Sequence, residues 1–329
     1  MAVRIDRRSL VAGGSALIGI AAAGRTEAQA APTLRFSAVF SDQDTRAEMM
    51  KRFADDIKSD FTLQSYFGGT LFRQGTELVA LQRGNLEMGN IAPQDISNQV
   101  PAWSIVTSAY LFRDADHLKK VFASEVGQQL KKMAEDQLGI RILGPTYFGV
   151  RHLGLKPKKK INTPADLAGI KLRMPGGDAW QFLGQALGAN PTPMAYAEVY
   201  TGLQSGAIDG QDNPLPNVQN MKFYEVSSQI VLTSHLVGFD LLTVSNKVWS
   251  AMTPQKQAAF QTAADKAIAW STEQHLKKEA ELADFFKAQG LDVYTPDVKA
   301  FREFAQKKYL ASDLARSWPP GMLEKINAL

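Results

Sequence analysis

The chain has 329 residues, 45% of them apolar, with 37 Lys or Arg, 33 Asp or Glu and no cysteine. The near balance of charge excludes the strongly basic surface that nucleic-acid binding needs, and the missing cysteines exclude disulfide staples and thiol chemistry. A chain of this length buries a large core without staples and is expected to divide into two lobes.

Residues 1–30 read as an export signal. Arg4, Arg7 and Arg8 make a charged start, an apolar run follows over 10–23, and the segment closes on Ala28-Gln29-Ala30. Gly13, Gly14 and Gly19 interrupt the run, which makes it a poor permanent membrane anchor. Arg7-Arg8 before Ser9-Leu10-Val11 resembles the twin-arginine export motif; an ordinary secretory signal with two arginines is the alternative. Cleavage near Ala30 would deliver the mature chain to the periplasm. It would remove four basic and two acidic residues and leave a net charge of +2.

Residues 33–40 alternate, with Leu34, Phe36, Ala38 and Phe40 on one face, as a strand does. Asp42 and Asp44 offer caps, and Ala47, Met50, Phe53, Ala54 and Ile57 recur at helical spacing. Phe61, Leu63, Ser65 and Phe67 return to a period of two, and Gly68-Gly69 turns the chain. A short helix is expected over 74–83, a strand over 86–92, one helix over 115–137 and a strand over 140–146. The run Lys156-Pro157-Lys158-Lys159-Lys160 lacks interleaved aromatics and reads as a solvated turn. Beyond it Thr163-Pro164-Ala165-Asp166 starts a helical turn, 170–174 reads as strand, and 178–187 and 196–205 as helices. This second set is expected to form its own sheet and so a second lobe. Thr253-Pro254 opens the longest helical pattern, a cap followed by proline at the first helical position, and Gly290 ends it. At 1.5 Å per residue such a helix spans on the order of 50 Å, enough to brace both lobes.

Little in the sequence marks catalysis. There is no P-loop and no H-E-x-x-H, and His117, His152, His235 and His275 have no metal spacing. No cofactor is expected. Arg173 stands out in Lys171-Leu172-Arg173-Met174-Pro175, at the end of a strand and just before Gly176-Gly177 and a helix. The carboxyl ends of strands are where open α/β sheets bind ligands, and a guanidinium matches a carboxylate with two parallel donors. A salt bridge to a neighbouring acid is the alternative.

The run Asp166-Leu167-Ala168-Gly169-Ile170-Lys171-Leu172-Arg173-Met174-Pro175 resembles the central motif of the substrate-binding proteins of TRAP transporters, the dicarboxylate-binding-protein family. Two further blocks resemble the same family in order and spacing: residues 188–200, Gly-Ala-Asn-Pro-Thr-Pro-Met-Ala-Tyr-Ala-Glu-Val-Tyr, and residues 203–214, Leu-Gln-Ser-Gly-Ala-Ile-Asp-Gly-Gln-Asp-Asn-Pro. The resemblance covers essentially the whole mature chain and weakens before Pro145. It implies a two-lobe periplasmic-binding-protein fold of the α/β class, with a hinged cleft and a long helix spanning both lobes. Lobe I would comprise 31–150 plus about 239–252, lobe II 151–238 plus part of 291–329, and the bracing helix 253–290. It implies a receptor without catalytic activity that binds a small organic acid and delivers it to integral-membrane transporter subunits. A ligand-presenting sensor subunit and an exported enzyme are the rival readings. A monomer is expected.

By the same resemblance Arg173 pairs with the ligand carboxylate, Arg151 assists, and Asn213 hydrogen-bonds it. Tyr196 packs on the ligand, Phe239 and Asp240 follow His235 at a cleft-lining crossover, and Gln74 and Ala92 fall at first-lobe contact positions. Val39, Ala92 and Phe239 are less polar than a sugar-acid pocket needs. With Tyr196 and Trp180 they suggest a ligand with an aromatic or aliphatic body, although Trp180 reads equally well as core.

Overall fold

The computed structural model describes residues 31–329; the export signal expected over 1–30 lies outside them. Nine strands form one sheet: β1 (Thr33–Ser37), β2 (Thr62–Tyr66), β3 (Met88–Ile91), β4 (Ile140–Leu155), β5 (Lys171–Met174), β6 (Asn190–Pro193), β7 (Gly210–Pro214), β8 (Gln229–Ser245) and β9 (Asp292–Tyr294). Their order is β2-β1-β3-β8-β4-β7-β5-β6, with β9 on β8. The class is α/β, as the alternation of strand and helix predicts. The outer strands pair in parallel, β2 with β1, β1 with β3, and β5 with both β6 and β7.

Two strands join the ends of this sheet. β4 and β8 run 16 and 17 residues and pair antiparallel from Ile140↔Ser245 to Leu155↔Gln229. Their one end pairs with β3 and the other with β7 and β9. The expected separate second sheet therefore does not form: β5, β6 and β7 continue the first sheet through β4. The strand expected to stop at Thr146 continues to Leu155, because the segment is buried on both faces and loses the alternation that marks a half-exposed strand. The register between β4 and β8 shifts near Ile142, Tyr147 and Arg151, and such bulges bend a strand pair. At the middle shift Gly149 has φ +120°, and a Cβ there would meet Pro214 and Glu279.

One predicted helix is two. Asp114 caps Ala115–Ala123, Ser124 is extended, and a second helix runs Glu125–Leu138. Gly127 lies against the backbone of Phe122 with no room for a side chain, so the two helices meet at a corner.

The long helix runs Pro254–Ala288, with the Thr253 hydroxyl accepting from the Lys256 N–H. Near its start Phe260, Ala263, Ala264 and Ala267 share a core with Phe53, Leu143 and Leu242. Near its end Leu282 and Phe286 share another with Val199, Leu203 and Phe223. Between them Glu279 accepts hydrogen bonds from the Tyr147 hydroxyl and from the Val150 N–H at 2.5 Å, tying the helix to the bulge in β4. Glu279→Ala is expected to lower the urea midpoint, because two donors lose their acceptor at about 1–3 kcal/mol each where buried. Glu279→Gln, which keeps one acceptor, should lose less. Equal midpoints for all three proteins would show that the crossing does not depend on this clamp.

Candidate functional site

A cleft opens where β4 and β8 cross, between the carboxyl ends of β1 and β3 on one side and of β5 and β7 on the other. Its lining includes Val39, Arg46, Gln74, Glu77, Asn90, Ala92, Asp95, Arg151, Arg173, Trp180, Tyr196, Asn213, Asn217 and Asp240. About 540 Å³ of space lies between these side chains, counting the part open to solvent.

Arg173 is the next-to-last residue of β5 and is 1% exposed. Its Nε donates to the Met194 carbonyl at 2.8 Å and its Nη2 to Gln74 Oε1 at 2.9 Å. Among the described residues no carboxylate pairs with it. Burial pushes this guanidinium down to about 10, helped by the charge of Arg151 and only partly opposed by Asp212. A buried cation without a counter-ion is costly, and an anionic ligand would relieve the cost.

Arg151, on β4, is committed differently. Its Nε and Nη2 fork onto the Asp212 carboxylate at 2.7 and 3.0 Å, and Nη2 also reaches the Asp212 carbonyl at 2.6 Å. His235 Nε2 closes on the same carboxylate at 3.1 Å. Burial acts to raise the Asp212 carboxyl, but the Arg151 charge and the bonds from His235 and Arg151 outweigh it and hold it well below the usual carboxylate range. The guanidinium carbon of Arg151 stands 4.9 Å from the centre of the Trp180 ring. Asn213, next to Asp212 on β7, donates to Gln211 at 2.5 Å. The Tyr196 hydroxyl accepts from Asn217 at 3.1 Å.

The other wall centres on Arg46, buried at the start of helix Thr45–Ile57. Its Nε and Nη2 bind Asp44 at 3.0 and 2.9 Å and its Nη1 binds Asp240 at 2.7 Å. The guanidinium lies between the rings of Phe40 and Phe148, 4.2 and 4.1 Å from their centres. Asn90 donates to Asp240 at 2.6 Å. Burial pushes the Asp240 carboxyl up against the pull of Arg46 and Asn90. The walls touch through Gln74, which accepts from both Arg173 and the Tyr196 N–H, and through an Arg73–Glu198 ion pair at 3.0 Å.

Comparison with known proteins decides what this cleft belongs to. Residues 36–313 match the family described as bacterial extracellular solute-binding protein, family 7. The chain belongs to this family. It is 31% identical over 288 residues to the sialic acid-binding periplasmic protein SiaP of Vibrio cholerae, covering 86% of this chain and 89% of that one. A crystal structure of a TRAP periplasmic solute-binding protein from Roseobacter denitrificans, with bound 3-deoxy-D-manno-oct-2-ulosonic acid, superposes with a TM-score of 0.89. It is 45% identical, covering 91% of this chain and 99% of that one. A second from Polaromonas sp. JS666, bound to D-erythronate, has a TM-score of 0.84 at 26% identity, with 91% and 99% covered. Proteins of this family are periplasmic receptors that bind small organic acids and work with TRAP membrane transporters. No helix among the described residues is long and apolar enough to cross a membrane, and no cluster among them could hold a metal ion.

In this TRAP-type solute-binding protein the cleft gathers Arg173, Arg151, Asn213, Tyr196, Gln74, Trp180 and Asp240, together with Val39 and Ala92. Phe239 is a correction. It is absent from the cleft and packs edge-on against Phe112 and Phe122, with ring centres 5.6 and 5.5 Å away. Successive strand residues face opposite ways, so with Asp240 in the cleft Phe239 faces the core. His235 also lies behind the wall, on Asp212. Trp180 serves both alternatives, buried in the core of its own half while capping Arg151. The sequence reading missed Arg46, Glu77, Asn90, Asp95 and Asn217. For Arg46 a signal existed: it lies in the first turn of the helix that follows β1, on the side of the sheet where strands end and ligands of α/β folds bind.

Proposed function

We propose that the protein captures a polyhydroxylated organic acid and delivers it to the membrane subunits of a TRAP transporter. The carboxylate would pair with Arg173, flanked by Arg151 and Asn213. The observation that carries this reading is the buried Arg173 guanidinium without a carboxylate partner. The expectation of an aromatic or aliphatic body rested partly on Phe239, and that side chain lies in the core. The wall facing the arginines also carries polar groups, Glu77, Asn90, Asp95 and Asp240, beside the apolar Val39, Phe40, Ala92 and Phe148. Hydroxyl groups find partners there, whereas an apolar body would leave buried polar atoms unpaired. The bound acids of the two relatives of solved structure carry hydroxyls beside a carboxylate, which supports the same reading.

The protein would be a periplasmic monomer, its leader removed near Ala30, that binds its ligand without turning it over. Lobe I, 31–150 plus about 239–252, and lobe II, 151–238 plus part of 291–329, would close about the crossing of β4 and β8, braced by the long helix. The test is calorimetric titration of the mature protein with 3-deoxy-D-manno-oct-2-ulosonic acid, D-erythronate, and aromatic and aliphatic acids of similar size. The hydroxylated acids are expected to bind at least about tenfold tighter, the equivalent of one retained hydrogen bond. Tighter binding of the apolar acids would overturn the reading. Small-angle scattering should show a more compact particle at ligand saturation; identical curves would argue for a rigid pocket.

A further inference from the structure

The basic groups of the cleft are unevenly used. Arg46 is spent on Asp44 and Asp240, and Arg151 on Asp212. Two acids on the first wall have no such partner. Glu77 lines the cleft at 3% exposure, and its Oε1 is buried without a hydrogen bond. Asp95, on the helix Pro93–Ser97, lines the cleft beside it, and among the described residues neither carboxyl is paired with a base. Asp240 lines the same cleft, and its charge acts on Asp95. A buried carboxyl oxygen left without a partner is rare in folded proteins and calls for an explanation.

We propose that Glu77 and Asp95, with Asp240 beside them, form a second subsite that binds hydroxyl groups at the end of the ligand remote from its carboxylate. The subsite selects acids long enough and hydroxylated enough to reach it. The inference rests on the carboxylate being held at Arg173.

Charge distinguishes a hydroxyl from an ammonium group here. Burial, with the like charge of Asp95 added, pushes the Glu77 carboxyl up to about 8 against the opposing pull of backbone N–H groups at Gly75, Thr76 and Glu77. Burial and the charge of Asp240 push Asp95 up to about 7. Both are protonated in mildly acidic solution. A protonated carboxyl donates one hydrogen bond and accepts others, which matches a hydroxyl, itself donor and acceptor. An ammonium group offers donors alone and favours an ionised partner.

The test is calorimetry with a ladder of hydroxy acids, from three-carbon glycerate to eight-carbon 3-deoxy-D-manno-oct-2-ulosonic acid. Wild type, Glu77→Leu and Glu77→Gln are compared at pH 6. Glu77→Leu is expected to lose at least about tenfold for the long acid and less than about twofold for glycerate. Glu77→Gln, which keeps a donor and an acceptor, should stay within about threefold for both. An equal loss for both acids in Glu77→Leu, or no loss for either, would overturn the subsite and leave the Arg173 reading standing. Failure of every acid to bind wild type would sink both. If Glu77→Gln fell as far as Glu77→Leu while amino acids bound wild type more tightly, an ammonium site would replace the hydroxyl site. A readout on wild type alone guards against misfolded variants: a deoxy analogue lacking the terminal hydroxyls should bind at least about tenfold more weakly than its parent. Equal affinity would overturn the proposal. Raising the pH from 6 to 9 should weaken the long acid and spare glycerate, as Glu77 and Asp95 ionise facing Asp240. Arg46 is already neutralised by Asp44 and Asp240 and does not offset the added charge.

Discussion

Arg173→Ala is expected to weaken binding of the hydroxy acid at least about tenfold in calorimetry. A charge-assisted hydrogen bond contributes about 1.5–3 kcal/mol, and about 1.4 kcal/mol is a factor of ten. The guanidinium is held in place before any ligand arrives, with Nε on the Met194 carbonyl and Nη2 on Gln74, so little side-chain ordering is left to oppose binding. Arg173→Lys should recover part of the loss at most. One ammonium cannot hold Met194, Gln74 and a carboxylate in the geometry of a planar fork. The substitution should read as a binding defect rather than a folding defect. The cation it removes is buried without a counter-ion, so its loss relieves a desolvation cost as it removes two hydrogen bonds. Unchanged affinity in Arg173→Ala would take this residue out of the site.

Asp212→Ala should produce the largest loss of stability. It strands the buried Arg151 guanidinium and takes a bond from His235, and breaking one side of a buried ion pair costs about 3–5 kcal/mol. The urea midpoint should fall accordingly, and affinity should fall with it, because Arg151 loses the fork that orients it toward the cleft. A midpoint within error of wild type would show that Arg151 finds another partner. The pH dependence has a definite sign. The folded-state pKa of Asp212 is depressed, so its contribution is present above the unfolded value near 3.8 and is lost as pH falls through the folded value. Asp212→Asn lacks that contribution at every pH. Its deficit relative to wild type should therefore be full at pH 7 and shrink as the solution is acidified below about pH 4. A deficit independent of pH would trace the loss to packing rather than to the ion pair.

Both residues belong to a stretch whose meaning was partly legible in the order of amino acids. Local rules placed several strands and helices of the chain closely: Leu34 to Phe40 alternate, Thr253-Pro254 starts a helix, and Arg173 lies near the end of a strand before a glycine pair. The motif around Arg173 carried the family and the arginine proposed to hold the ligand carboxylate. These are short-range facts, set by the period of a strand or helix and by caps within a few residues. The tertiary structure decided the rest. The full length of β4 and β8 depends on pairing between residues far apart in the chain, from Ile140 with Ser245 to Leu155 with Gln229, and their burial on both faces erases the alternation that reveals an exposed strand. Which of Phe239 and Asp240 enters the cleft depends on register, and a shift of one residue exchanges the faces. The polar wall made by Arg46, Glu77, Asn90, Asp95 and Asp240 comes from five separate elements or their flanks. No sequence window contains it, because the buried charge of one element is balanced, or left unbalanced, by residues that only the folded sheet brings beside it.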